Sequence, residues 1–332
     1  MAPSAIIEEA PTIPVPKAVG SVPNDDVLVD SFDMSTVTVE QVVQSMVRNG
    51  GVIVRNLIRP EEARQIEKEV RPYLGFDECW QPDFWPRETH RVCGLAGKSP
   101  TFIDKIASHP LYEEVAARFL TTTSKAWIGQ THTENTSRPQ LNNTLVFSIG
   151  PGAKHQDLHR DDMIHHKQLP AITPEEYTFD RDTAIGLFVA GKKTTRANGA
   201  TRFVPRSHLQ ATEHPPPAED SECFYAELNP GDGFFMLASC YHGGSANTTE
   251  DEERLLYGCF MTRGWLRQEE NQYLATPLEK IKQTNYSAKQ LRMMGYGVSE
   301  PFLGWVDLSD PMQVVMNINE KKDLSFGGYS KK

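Results

Sequence analysis

Residues 142–162 read NNTLVFSIGPGAKHQDLHRDD, and they set the architecture expected of the chain. The run 142–149, rich in apolar residues, is halted by Gly150-Pro151-Gly152, and beyond it histidines alternate with aspartates. An apolar run bounded by turn residues reads as a strand. Five more runs share this texture: KAWIGQTHTEN (125–135), TAIGLFVAG (183–191), GATRFVPRS (199–207), GDGFFMLAS (231–239) and RLLYGCFMTRGWL (254–266). Helical crossovers of adequate length do not separate them. The strands are therefore expected to pair antiparallel, since parallel neighbours need a connection of a dozen or more residues. The expected class is α+β, with a β-sandwich or barrel over about 124–267.

Helices bracket this core. Thr38-Val39-Glu40-Gln41 is a capping-box pattern, Val42, Val43 and Met46 supply an apolar face, and Gly50-Gly51 supplies a stop. GVIVRNLI (51–58) follows as a buried strand. Pro60-Glu61-Glu62 opens a second helix that keeps Ala63, Ile66 and Val70 at helical spacing. Further helix is expected from Ser99 through His109, from Pro110 to Leu120, and after Thr276, where Ser287 to Met294 is stopped by Gly295. Residues 1–25 carry five prolines and little periodicity, which reads as a disordered tail. Residues 26–332 then form one domain.

Composition removes several function classes. Lys plus Arg total 34 against 44 Asp plus Glu, a net charge of −10, so neither nucleic acid nor an anionic membrane surface is the expected partner. No run approaches the ~18 apolar residues of a membrane span. The five cysteines, Cys79, Cys93, Cys223, Cys240 and Cys259, include no CxxC pair, which supports neither a disulfide framework nor a thiolate zinc site. With no secretory or transit signature at the N-terminus, a cytoplasmic location is expected.

The histidines carry the chemistry. His155, His159, His165 and His166 crowd into residues 150–166 beside Asp157, Asp161 and Asp162. Both His155-Gln156-Asp157 and His159-Arg160-Asp161 are H-x-D triplets. On an extended chain residues i and i+2 share a face, so either triplet presents an imidazole and a carboxylate to one ion. His242 is the best third ligand, following the apolar run 234–238 and preceding Gly243-Gly244. Two imidazoles and one carboxylate leave coordination positions open, which suits non-heme Fe(II) because oxygen and an organic co-substrate must also bind. Arg254, at the head of its strand, offers a bidentate anchor for a carboxylate. The plainer alternative is a surface pair with Asp251, Glu252 or Glu253.

Taken in order, Gln156-Asp-Leu-His159-Arg-Asp161-Asp162, Asn198-Gly-Ala-Thr201, Pro205-Arg-Ser-His208, Pro230-Gly-Asp232 and His242-Gly-Gly with Arg254 downstream resemble the phytanoyl-CoA-hydroxylase-like Fe(II)/2-oxoglutarate dioxygenases. They resemble in particular the fungal enzymes that tailor meroterpenoids and alkaloids. The resemblance spans roughly residues 40–310. It implies a double-stranded β-helix (jelly-roll) core flanked by N- and C-terminal helices, and iron on His159, Asp161 and His242. It also implies 2-oxoglutarate held by Gln156, Thr201 and Arg254, with Arg91 as a further arginine near the co-substrate. Other branches carry the motif as H-Q-D, which His155-Gln156-Asp157 spells out. The LHRDD form of the fungal branch favours His159 and Asp161, leaving Gln156 three residues upstream for the co-substrate.

The activity implied is oxidation of an apolar small molecule of secondary metabolism by hydroxylation, desaturation or ring formation, consuming O2 and releasing succinate and CO2. Asp161 argues against halogenation, which needs that position free for halide. Related fungal enzymes imply a homodimer. An acyl-CoA hydroxylase of primary metabolism, or a catalytically silent jelly-roll binding protein, is the alternative reading. Trp80, Phe84 and Trp85 offer an apolar substrate wall or ordinary packing. His165 and His166 read as a solvated turn or a substrate mouth, and His208 as structural.

Overall fold

The computed structural model describes residues 29–75, 88–218 and 220–318. The expected tail and the Trp80–Trp85 loop lie outside these residues. Twelve strands are present among them: β1 (Ser31–Asp33), β2 (Gly51–Arg55), β3 (Thr89–Cys93), β4 (Thr122–Ile128), β5 (Thr131–Ser137), β6 (Gln140–Ile149), β7 (Ala184–Ala190), β8 (Thr201–Phe203), β9 (Phe224–Ala226), β10 (Gly233–Leu237), β11 (His242–Gly244) and β12 (Arg254–Thr262). Seven form a sheet in the order β1-β2-β10-β7-β12-β6-β3, and β11-β8-β9 form a smaller sheet. All pairings are antiparallel except β1 with β2. The two sheets are the walls of a jelly roll, flanked by helices, and a cleft opens between them.

The run 125–135 departs from expectation. It folds as the separate two-stranded hairpin β4–β5, exposed along most of β4, and is no strand of the roll. Conversely, β1, β2 and β3 join the large sheet from before residue 124. The roll thus recruits short early strands that hydropathy alone does not tie to the later ones.

Elsewhere local signals are realised. Thr38 caps the helix Val39–Asn49 through its side chain, Gln41 returns the bond, and Gly50 ends the helix at φ 81°. In the helix Pro60–Val70, Ala63, Ile66 and Val70 are the buried residues. The stretch after Ser99 is helical to Ala107 but closes as a π turn over Ile103–Ala107. Strand β7 is buried along its whole length. The helix Pro110–Leu120 packs against it, and Phe188 on β7 lines the cleft. Tyr112 ties helix to sheet by donating to the Cys259 carbonyl at 2.7 Å. Each fully buried aromatic, such as Phe119, Phe234 or Phe235, contributes about 1.5–3 kcal/mol by leaving water.

Candidate active site

Backbone pairing builds the centre. His159 and His242 form an isolated antiparallel bridge, each amide donating to the other's carbonyl at 3.0 Å, so two imidazoles distant in sequence emerge side by side. Asp161 then returns to the same face two residues after His159. Its Oδ1 lies 3.3 Å from His159 Nε2 and its Oδ2 lies 3.4 Å from His242 Nε2. The three ligand atoms all fall within 4.8 Å of one another.

Both rings are oriented by the main chain. His159 Nδ1 donates to the Asp157 carbonyl at 2.9 Å, and His242 Nδ1 to the Cys240 carbonyl at 3.2 Å. Each Nε2 is thereby turned toward the centre, the orientation that metal-ligating histidines require. Burial pushes the pKa of His242 down to about 4 against the pull of Asp161, so its imidazole is neutral. Burial also pulls Asp161 upward, but His242 and His159 outweigh it and the carboxyl is held below its ordinary range. Burial disfavours charge on His159, yet the hydrogen bond it donates to Asp161 raises its pKa. Asp161 Oδ2 is buried and accepts no hydrogen bond.

This donor set fits a divalent ion of the iron type. It offers two imidazole nitrogens and an ionised carboxylate oxygen, with separations that suit one coordination shell of roughly 2.0–2.2 Å bonds. The rival triplet faces water, for the His155 side chain is 59% exposed and that of Asp157 97% exposed. His155 and Asp157 stand outside the cluster.

The same cleft contains a buried cation. Arg254 is 3% exposed and donates to Thr201 Oγ1 at 2.8 Å, while its Nε has no partner. Its acidic neighbours are engaged elsewhere. Glu253 binds Arg71, Lys192 and Ser148, and Glu252 accepts from Asn198. No carboxylate pairs with Arg254 among the described residues, and burial alone lowers its pKa to about 10. An uncompensated buried guanidinium is costly, and a bound anion removes the cost. Gln156, also buried, has an unpartnered Nε2, and its Oε1 accepts from Gly244 N at 3.4 Å. Gly243 allows this approach, since a Cβ there would meet the Gln156 carbonyl at 2.8 Å.

Six expected site residues thus line one cleft: Gln156, His159, Asp161, Thr201, His242 and Arg254. Arg91 does not line it, although it pairs in register with the lining residue Phe147. His165 binds Thr183 through Nδ1, and His208 contacts the Val47 carbonyl through Nε2, both away from the cluster. Met163 and Ile164, exposed on the turn after Asp161, form an apolar lip.

Sequence reasoning missed Glu269 and Asn143, which also line the cleft. Burial and the nearby Asp161 raise the Glu269 pKa to about 7. The tandem Asn142-Asn143 in a β run and the acids following the last strand were the available signals. Nothing in their spacing, 126 residues apart for Asn143 and Glu269, joins them.

Known proteins share sequence and fold with this chain. The family model described as phytanoyl-CoA dioxygenase (PhyH) matches residues 46–255. The dioxygenase himG of Aspergillus japonicus is 39% identical, the match covering 89% of this chain and 92% of the relative. The dioxygenase peniF of Penicillium patulum is 41% identical, over 88% and 92%. Among solved structures, HygX from Streptomyces hygroscopicus with nickel and 2-oxoglutarate bound has a TM-score of 0.51 at 15% identity, over 70% of this chain and 90% of that one, a likeness of fold. The match over more than half of the chain and the two long relatives identify it: this protein is a dioxygenase and belongs to the phytanoyl-CoA dioxygenase family.

Proposed function

We propose that the chain is an Fe(II)- and 2-oxoglutarate-dependent oxygenase that oxidises an apolar small molecule of fungal secondary metabolism by hydroxylation, desaturation or ring formation. The observation that carries this reading is the meeting, in one cleft, of a His-Asp-His cluster and a buried arginine without a counterion. In it His159, Asp161 and His242 hold the iron, and Arg254 with Thr201 and Gln156 binds the co-substrate carboxylate. Iron with 2-oxoglutarate supplies the oxidising chemistry, consuming O2 and releasing succinate and CO2.

The protein's own contribution is positioning and exclusion of water. Arg254 neutralises and orients the distal carboxylate, the Thr201 hydroxyl fixes the guanidinium, and Gln156 Nε2 offers a further donor. Phe188, Leu256 and Phe260 dry the interior of the cleft, which strengthens these polar contacts. Asp161 keeps its coordination site occupied, which excludes halide. Arg91, beside the lining residue Phe147, is the further arginine near the co-substrate.

An acyl-CoA substrate finds less support, because the cleft rim offers Lys154 as its one cation beyond Arg254 among the described residues. We take residues 26–332 as one catalytic domain of a cytosolic homodimer. Sizing chromatography reads the oligomer, and a monomeric mass removes that part. Among the described residues no helix is long and apolar enough to cross a membrane.

The test is anaerobic iron binding followed by succinate release on adding oxygen and 2-oxoglutarate. His159→Ala and Asp161→Ala should each lose more than the ~10–100-fold in metal affinity typical of outer-shell changes, and should release no succinate. His155→Ala should keep its iron. A wild-type protein that neither retains iron nor releases succinate ends the reading, and loss of iron in His155→Ala instead transfers the ligand role upstream.

A further inference from the structure

The cleft holds a second polar pair that the iron and co-substrate reading does not use. Glu269 Oε2 accepts from Asn142 Nδ2 at 3.2 Å and from Asn143 Nδ2, while the Glu269 amide donates to Asn142 Oδ1 at 2.8 Å. The side chain is pinned in place. Its other oxygen accepts no hydrogen bond among the described residues, and no Lys, Arg or His there lies within ion-pair distance of it. Asn143 Oδ1 is buried and also without a partner. The bond from its Nδ2 to Glu269 fixes which amide atom is left over.

Both residues line the cleft together with Asp161, the apolar lip of Met163 and Ile164, and Phe260. The leftover atoms are both acceptors. A ligand bringing only acceptors would leave them unpaired and add repulsion beside Asp161. A hydroxyl brings one donor and no charge. An ammonium brings up to three N–H donors and a charge opposite to that of ionised Glu269, whose carboxylate the two amides hold at the cleft. Lys154 also lines the cleft but makes no ion pair with Glu269 among the described residues.

We propose that Glu269 and Asn143 orient the substrate, and that they select an apolar skeleton bearing a basic nitrogen whose N–H groups face these two acceptors. The inference rests on the cleft being the active site proposed above. Hydrocarbon then lies along Met163, Ile164 and Phe260, with the nitrogen held at Glu269, so that the carbon presented to the iron is set by its distance from the nitrogen.

The test uses full-length protein loaded anaerobically with Fe(II) and 2-oxoglutarate, and three probes on one skeleton: 3-phenylpropylamine, 3-phenylpropan-1-ol and 3-phenylpropanoate. Binding is read from the visible charge-transfer band of the loaded complex, and only loaded protein is compared. Wild type should bind the amine at least tenfold more tightly than either other probe. Glu269→Leu should abolish that preference, and the isosteric Glu269→Gln should reduce it several-fold with an unchanged melting temperature. The proposal is overturned if the amine shows no advantage, if none of the three binds, or if both variants keep the amine preference. Failure of the wild type to form the loaded complex at all would instead indict the active-site reading.

Discussion

Arg254 and Arg263 flank a single strand, β12, and each is 3% exposed. Their surroundings differ. Arg263 donates Nε to the Asp182 carbonyl at 2.9 Å, Nη1 to Thr122 Oγ1 at 2.8 Å, and Nη2 to the carbonyls of Phe119 and Phe179 at 3.1 and 2.6 Å. Among the described residues the Arg254 side chain makes one hydrogen bond, to Thr201. Burial lowers the pKa of both, but at Arg263 the charges of Asp182 and Asp180 resist the shift. A buried cation with every nitrogen engaged ties segments of chain together. One with donors to spare, facing a cleft, is built to receive an anion.

The difference is most sharply tested by exchanging each arginine for methionine. Arg263→Met takes the guanidinium donors from three carbonyls and leaves the Thr122 hydroxyl with Trp265 alone, and should cost roughly 3–5 kcal/mol in denaturant unfolding. Arg254→Met removes a charge without a counterion, so the protein free of co-substrate should be as stable as wild type or more so, while the stabilisation conferred by 2-oxoglutarate disappears. Equal destabilisation by both would erase the distinction.

Glu253 sharpens it from the other side. Burial raises its pKa, but Arg71, Lys192 and Ser148 together bring it to about 2, against an ordinary value of 4.5. A lowered carboxyl pKa stabilises the fold fully above pH 4.5, and the contribution is lost as pH falls toward 2. Glu253→Gln should therefore cost up to about 3 kcal/mol above pH 5 and almost nothing near pH 2. Its 2-oxoglutarate KM should stay at the wild-type value; a rise would mean that Glu253 supports Arg254 after all. The smallest effect is expected of Arg254→Lys, which keeps the charge and loses the fork. The KM for 2-oxoglutarate should rise by the equivalent of roughly 1–3 kcal/mol, and an unchanged KM would remove Arg254 from the co-substrate site.

What the sequence revealed was local chemistry. The Thr38 capping box, the Gly50 stop and the buried faces of the first two helices depend on neighbours within a few residues, and all are realised. The His159, Asp161 and His242 cluster was legible because two of its members lie two residues apart and the third opens the His-Gly-Gly segment after an apolar run. Long-range pairing was not. The run 125–135 reads as a strand of the core yet folds as a hairpin of its own, and β1 to β3 enter the large sheet through partners whose hydropathy does not mark them. Glu269 was invisible for the same reason, because its anchors lie 126 and 127 residues away.

The carbonyls that hold the two imidazoles have a consequence for how such a scaffold diversifies. Both belong to the residue two positions before the histidine, Asp157 and Cys240, so the tilt of each ring is written in the peptide chain. Neighbouring side chains can be exchanged without retuning the ligands. New substrates can then be accommodated by rebuilding the lining while the centre keeps its aim.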